Sequence, residues 1–396
     1  MRVLTFTSLF PNRSQPLLGI FIYQRVAHFA ARPGNTVQVI APVPYFPRWL
    51  PWTRWRKAGQ VPAKERIGDL DVYHPRYLLL PKVSMPLHGL SMFLGCLFLA
   101  RRLEKTIGFD CIDAHYVYPD GFAAVLLGKV LRLPAVVSAR GTDINLFPSF
   151  PTIQWMIRWT LRRAAGIVAV SAALRDAMVK LGVRVEKISV IGNGVDAKRF
   201  QPLARDAARR ALGLPESGPL VISVGTLIPT KGHQLLIAAL AEMAPRYPNI
   251  KAYILGEGAY RAELEELARG KDVQERVFLV GERPNEELQL WFNAADVSCL
   301  LSSREGWPNV LLESLACGTP VVSTRVGGVA EVIASPDLGV LVEPDVRSIA
   351  DGLEAAVKRD WDRAALVRYA RARTWEVVAE ELAQYLTSLL AGPARA

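Results

Sequence analysis

The chain has 396 residues, too many for one ordinary hydrophobic core and suited to two or three domains. Its composition, 51% hydrophobic and 21% charged, is globular and excludes a disordered or fibrous chain. The net charge of +11 divides unevenly, +16 over residues 1–200 and −5 over the rest, which predicts two domains with different partners. The four cysteines, at 96, 111, 299 and 317, lie far apart without CxxC spacing. That argues against a disulfide framework or zinc site and fits free thiols in a reducing cytosol. Met1 leads straight into an apolar strand, with no basic segment and cleavage site of a signal peptide. The most apolar stretch, Leu90 to Ala100, has 11 residues. A spanning helix takes about 20, so none is expected.

The first half reads as alternating strand and helix. Val3–Phe6 and Val37–Pro42 are short, β-branched and bounded by Pro or Gly, as buried strands are, and Phe21–Arg32 between them has helical spacing. Cys111–His115 and Ala135–Ser138 are further strands around a helix from Gly121 to Leu131, and Gly166–Ser171 and Ile188–Ile191 continue the series. In the second half Leu220–Val224, Lys251–Leu255, Val277–Val280, Val297–Leu300, Pro320–Ser323 and Val340–Val342 read as strands. Helices Gln234–Tyr247, Tyr260–Arg269 and Val310–Cys317 fall between them. Two runs of alternation predict two doubly wound α/β domains, 1–198 and 199–374. The helical spacing around Trp375 to Leu390 supplies a last helix. Ligands of such domains bind beyond the carboxyl ends of the strands, so polar residues just after strands are the candidates.

Glu305-Gly-Trp-Pro-Asn-Val-Leu-Leu-Glu313 follows the strand Val297–Leu300 and enters a helix at about Pro308, where a missing N–H costs nothing. The free amides of Asn309, Val310 and Leu311, with the helix dipole, suit a diphosphate. Glu313 is placed to accept from a ribose diol and Glu305 from sugar hydroxyls. Taken alone, the two Glu residues read more readily as an acidic helix start than as ligands. Behind them come Cys317-Gly-Thr-Pro-Val-Val and Val326-Gly-Gly-Val-Ala-Glu331.

In this composite the sequence resembles the retaining glycosyltransferases of family 4, which have the GT-B fold. The resemblance implies two Rossmann-like domains facing a cleft, with the last helix, about 375–396, crossing back to the N-terminal domain. It implies transfer of a hexosyl group, with retention, from a UDP- or GDP-sugar to a lipid-linked or polysaccharide acceptor. By the same resemblance Glu313 binds ribose and Glu305 the sugar, with Gly306, Trp307, Pro308, Asn309 and Val310 forming the loop between. Val224-Gly225-Thr226 to Lys231-Gly232 matches the segment that carries a phosphate-binding Arg and Lys; Lys231 is kept, and Thr226 stands where the Arg is usual. Arg304 or Arg140 is a substitute for that cation. Gly19 matches the glycine loop after the first strand, Asn193 the end of the last N-terminal strand, and Gly256 the nucleotide-base side.

Asp113-Ala-His115 closes a strand ahead of a Pro-Asp-Gly turn. A lone His is more often structural, but the family commonly has one here facing the donor sugar, which makes His115, with Glu305 and Lys231, a catalytic candidate. Arg140-Gly-Thr-Asp143 follows the next strand; Arg140 suits an anionic group, and Asp143 is balanced between orienting a hydroxyl and capping the next element. No bound metal or other cofactor is expected. Asp69-Leu-Asp71 is a DxD triplet and lies away from these loops. Trp49-Leu-Pro-Trp52-Thr-Arg54-Trp55-Arg56-Lys57 interleaves aromatics with cations, as interfacial membrane segments do. Leu87–Leu103 reads either as a core helix or as one lying in a bilayer interface. The basic half thus suggests an anionic membrane surface on the cytoplasmic side, and no nucleic-acid motif is present. A nucleotide-sugar-binding regulatory subunit, or a soluble enzyme with a small acceptor, are the rival readings.

Overall fold

A computed structural model of the chain describes residues 1–45, 59–79 and 85–392. The Trp49 to Lys57 segment therefore lies outside the described residues. The chain folds as two units, Met1–Asn193 with Trp375–Ala396, and Gly194–Thr374.

The first unit is built on strands β1 (Arg2–Phe6), β2 (Thr36–Ile40), β4 (Lys64–Ile67), β5 (Leu70–Tyr73), β7 (Cys111–His115), β8 (Ala135–Ala139), β9 (Gly166–Ala169) and β10 (Ile188–Val190). They form one sheet in the order β10-β9-β8-β7-β1-β2-β5-β4, parallel except for the β4–β5 hairpin. Strands β3 (Val43–Tyr45) and β6 (Arg76–Leu78) make a separate pair. The central strands are covered on both faces and hence mostly apolar, as in the fully buried Ala-Val-Val-Ser-Ala of β8. The edge hairpin was not legible in the sequence because its residues are half polar; it includes the Asp69-Leu-Asp71 triplet, with Asp71 paired to Lys64 at 3.0 Å.

Helices Ile20–Ala30 and Trp375–Ala391 pack together on the unit's core. Val26, Phe29, Trp375, Val378, Leu382 and Leu386 join Val3, Cys111, Val136 and Val168 of the strands there. The carboxyl-terminal helix thus returns to the first unit, where the Tyr385 hydroxyl donates to the Ile167 carbonyl at 3.3 Å and Glu380 pairs with Arg32. Helices His88–Ile107, Phe122–Leu131 and Pro151–Arg163 pack side by side in turn.

The second unit has strands β11 (Leu220–Val224), β12 (Lys251–Leu255), β13 (Val277–Gly281), β14 (Val297–Leu300), β15 (Val321–Thr324) and β16 (Gly339–Val342). All pair in parallel in the order β13-β12-β11-β14-β15-β16, which reverses direction between β11 and β14. In an open α/β sheet the connections that leave two neighbouring strands at such a reversal run to opposite faces and leave a crevice outside the carboxyl ends. Two apolar clusters fill the unit, one around Leu236, Leu240, Ile254 and Ile349, the other around Phe200, Phe292, Leu311 and Leu366.

Candidate active site

In the second unit the polar residues picked out by sequence gather at that reversal. The loop after β11 carries Gly225, Thr226 and Lys231; the loop after β14 carries Glu305 through Pro308 and leads into helix Asn309–Ala316. The Ser303 amide donates to the Thr230 carbonyl at 2.9 Å and holds the two loops together. Lys231 Nζ then reaches Glu305 Oε1 at 2.6 Å, with side-chain exposures of 28% and 11%. A half-buried ammonium and carboxylate are thereby held in one place, open enough to exchange each other for a ligand.

The helix starts at Asn309, between the Pro308 and Val310 starts that the sequence suggests. Pro308 has φ −85° and ψ 88° and stands before the first turn instead of within it. The Leu311 amide, expected to be free, donates to the Pro308 carbonyl at 3.1 Å. The dipole of this helix still opens at Asn309 and Val310, a few residues after Glu305 in the chain. Trp307 packs under the Arg373 guanidinium, 5.8 Å from its ring centroid. Gly306 and Pro308 are buried, whereas Thr226 and Arg304 are exposed. Glu313 sits further along the helix. Burial, with Asp196 nearby, pushes its carboxyl up to about 7 against the opposing pull of Arg199.

Gly256, after β12, is where two loops touch: a Cβ there would lie 2.0 Å from the Gly225 carbonyl oxygen. His233, fully buried, was not picked out by sequence. Its Nδ1 lies 3.2 Å from Ser223 Oγ, and its Nε2 has no hydrogen-bond partner and faces the Gly225 backbone. Burial holds its pKa down to about 4, so it is a neutral prop under the Gly225–Thr226 turn.

The first unit gathers a second set, at the carboxyl ends of β7, β8 and β10. Arg140 donates through Nη1 to Asn193 Oδ1 at 3.0 Å and through Nη2 to His115 Nδ1, and its guanidinium lies over the Phe21 ring. Gly19 caps the helix that carries Phe21 at φ 62°, where a Cβ would lie 2.2 Å from the Leu9 carbonyl oxygen, so only glycine fits. Asp143 spends both oxygens on backbone amides: Gly141 at 2.8 Å, Arg140 at 3.1 Å and Val117 at 2.8 Å. That is the capping alternative, a brace between two loops.

His115 differs from expectation. Its ring is fully buried, with Arg140 on Nδ1 and Asp113 Oδ2 3.2 Å from Nε2, so it presents no nitrogen to an open pocket. Asp113 and His115, two residues apart, share one face of β7, a central strand whose five residues are all buried. Burial, with the Arg140 charge beside it, outweighs Asp113 and lowers the imidazole to about 4. Arg25, on helix Ile20–Ala30, adds another buried cation beside Asp113, and Ser8 binds the buried Asp120, whose carboxyl burial pushes up to about 7. Neither was foreseen, although the i,i+2 spacing of Asp113 and His115 in an otherwise apolar strand was a visible signal.

Residues 22–199 match the family described as Glycosyltransferase Family 4, and residues 204–373 that described as Glycosyl transferases group 1. The chain is 27% identical to the putative teichuronic acid biosynthesis glycosyltransferase TuaC of Bacillus subtilis, over 96% of this chain and 92% of that one. It is 35% identical to the D-inositol 3-phosphate glycosyltransferase of Kribbella flavida over 78% of each. Among solved structures, Anabaena HepE in complex with UDP-glucose superposes with a TM-score of 0.72 at 20% identity, covering 98% of this chain and 99% of that one. With the signature residues gathered at the strand reversal of a six-stranded parallel sheet, these likenesses place the chain among the family 4 glycosyltransferases of GT-B fold, enzymes that use a nucleotide-sugar donor.

Proposed function

We propose that the protein transfers a hexosyl group, with retention, from a UDP- or GDP-sugar to a lipid-linked or polysaccharide acceptor on the cytoplasmic side of a membrane. The observation that carries the donor half is the Lys231–Glu305 pair at the β11–β14 reversal, ahead of the start of helix Asn309–Ala316. A diphosphate brought to that place meets an ammonium and a helix amino terminus, which stabilise the charge that develops as the nucleoside diphosphate leaves. Glu305, released from Lys231, accepts from the sugar hydroxyls. Glu313 accepts from the ribose diol, Gly306 to Val310 line the phosphates with Gly225 and Thr226, and Gly256 borders the base.

Lys231 and Glu305 are the groups that touch the reacting donor. His115 acts through Arg140: its neutral ring accepts from that guanidinium and fixes it, with Asn193, against Phe21. Gly19 and Asp143 shape the loops around Arg140. No step needs a metal, since the cation and the dipole do the work of charge stabilisation.

TuaC is named for teichuronic acid biosynthesis, which supports the polymer acceptor. The name of the Kribbella enzyme carries a small acceptor and supports the soluble alternative. Thermal shift of the full chain against UDP-, GDP- and ADP-sugars tests the donor half, because a ligand at a hundredfold its Kd adds about 2.7 kcal/mol. One donor should stabilise the protein and be slowly hydrolysed, and Glu305→Ala should abolish both. If no donor shifts the protein and none is hydrolysed, the reading fails; binding without any turnover would favour a regulatory subunit.

A further inference from the structure

The first unit carries a surface that the donor site does not use. Helices His88–Ile107, Phe122–Leu131 and Pro151–Arg163 pack side by side, and each leads into a strand of the parallel sheet. Right-handed crossovers run such helices antiparallel to the strands, so their carboxyl ends share one rim.

Along the first helix and the turn before it, Leu87, Leu90, Leu94 and Phe98 recur every three or four residues and face water, Leu94 at 62% and Phe98 at 80% exposure. They are surplus to the core, since Met92, Cys96, Ala100 and Leu103 already fill the inward face of that helix. On the third helix Trp155 is 61% exposed. Towards the shared rim lie Arg101, Arg102, Lys105, Arg158, Arg162 and Arg163, all exposed and none in an ion pair among the described residues. Glu104 is the one acidic residue in the three helices, and its carboxylate turns back to accept from the Phe109 amide at 2.8 Å.

We propose that this helix layer docks on an anionic lipid surface, with Leu94, Phe98 and Trp155 entering the interface and the basic rim lying on the headgroups. The pairing of the two features selects the occupant. A soluble polyanion would take the cations and leave the leucines and Phe98 in water. A second copy would bring one basic layer against another. A bilayer with anionic headgroups satisfies both the apolar stripe and the cations. The inference deepens the acceptor side of the proposed function, and its test does not pass through sugar transfer.

The test is co-sedimentation of the full chain with vesicles of phosphatidylcholine alone and of phosphatidylcholine mixed with phosphatidylglycerol. Binding should require the mixed vesicles and weaken with salt. The triple change Arg158→Ala, Arg162→Ala, Arg163→Ala should lower partitioning roughly a hundredfold, at about fivefold per cation. The pair Leu94→Ser, Phe98→Ser should lower it at least roughly tenfold. All the changed side chains are exposed, and unchanged melting curves would show that the variants fold. Equal binding to both vesicle types, no binding to either, or binding indifferent to Leu94→Ser, Phe98→Ser each overturns the proposal. Self-association abolished by the same pair would overturn it in favour of a second copy.

Discussion

Replacing Glu313 by Gln should stabilise the unliganded protein in alkali while weakening its grip on the donor. The Glu313 carboxyl is raised from its ordinary 4.5 to about 7, first by burial and then by Asp196, against Arg199. At about 1.4 kcal/mol per unit, holding it ionised costs at most about 3 kcal/mol, and about 2 once solvent contact of the partly exposed side chain is allowed for. A carboxyl with a raised pKa contributes stability that is complete below its unfolded value and is lost as pH rises through the folded one. Wild-type protein should therefore lose this increment between about pH 4.5 and 7, whereas Glu313→Gln, neutral throughout, should not. The variant should melt higher by about 4–8 °C at pH 8 and by almost nothing at pH 4.5. Thermal melting at the two pH values is the assay. Equal melting points at pH 8, or a less stable variant there, would refute the placing of a costly carboxylate at this position. With donor present the order should reverse, because the amide offers one acceptor where the carboxylate offers two; a loss of roughly tenfold to a hundredfold in affinity is expected. In the wild type, donor affinity should rise with pH and level off above about 7.

Gly327→Ala puts a Cβ 1.9 Å from the Glu305 carbonyl oxygen at φ 50°, so the Glu305 loop must move; a loss of about 2 kcal/mol in stability and at least roughly tenfold in donor affinity is expected by melting and titration. Lys231→Ala should cost less than about 1 kcal/mol of stability, since its partner Glu305 can reach water, yet should cost roughly a hundredfold in donor turnover, measured by kcat/KM. His115 should stay neutral down to about pH 4, and Arg140→Met should raise its pKa by removing a facing cation, as followed by NMR of the ring; a wild-type ring titrating near 6.5 would contradict the buried contact with Arg140.

The strand and helix series was legible because central strands of a parallel sheet, buried on both faces, are short unbroken apolar runs between Pro and Gly. The β4–β5 edge was hidden because one side of it faces water and its residues mix charge with apolar groups. In the second unit Gly225, Lys231 and the Glu305–Glu313 stretch each follow a strand end, so their gathering at the β11–β14 reversal was legible from the order of the strands. The first-unit set was read less well. His115 was identified by type and position, but beyond its strand neighbour Asp113 its surroundings come from three separate segments, at Arg25, Arg140 and Asn193.

The sequence by itself determined the class of donor, because the Glu305–Glu313 stretch encodes its own geometry: a loop, a helix start, and a carboxylate just over one turn further on. Tertiary structure alone decided which charges meet. It joined Lys231 to Glu305 across 74 positions, turned His115 inward onto Arg140, and set Leu94 and Phe98 outward beside exposed arginines. Periodicity tells which face of an element is apolar. Only the packed neighbours tell whether that face is already covered.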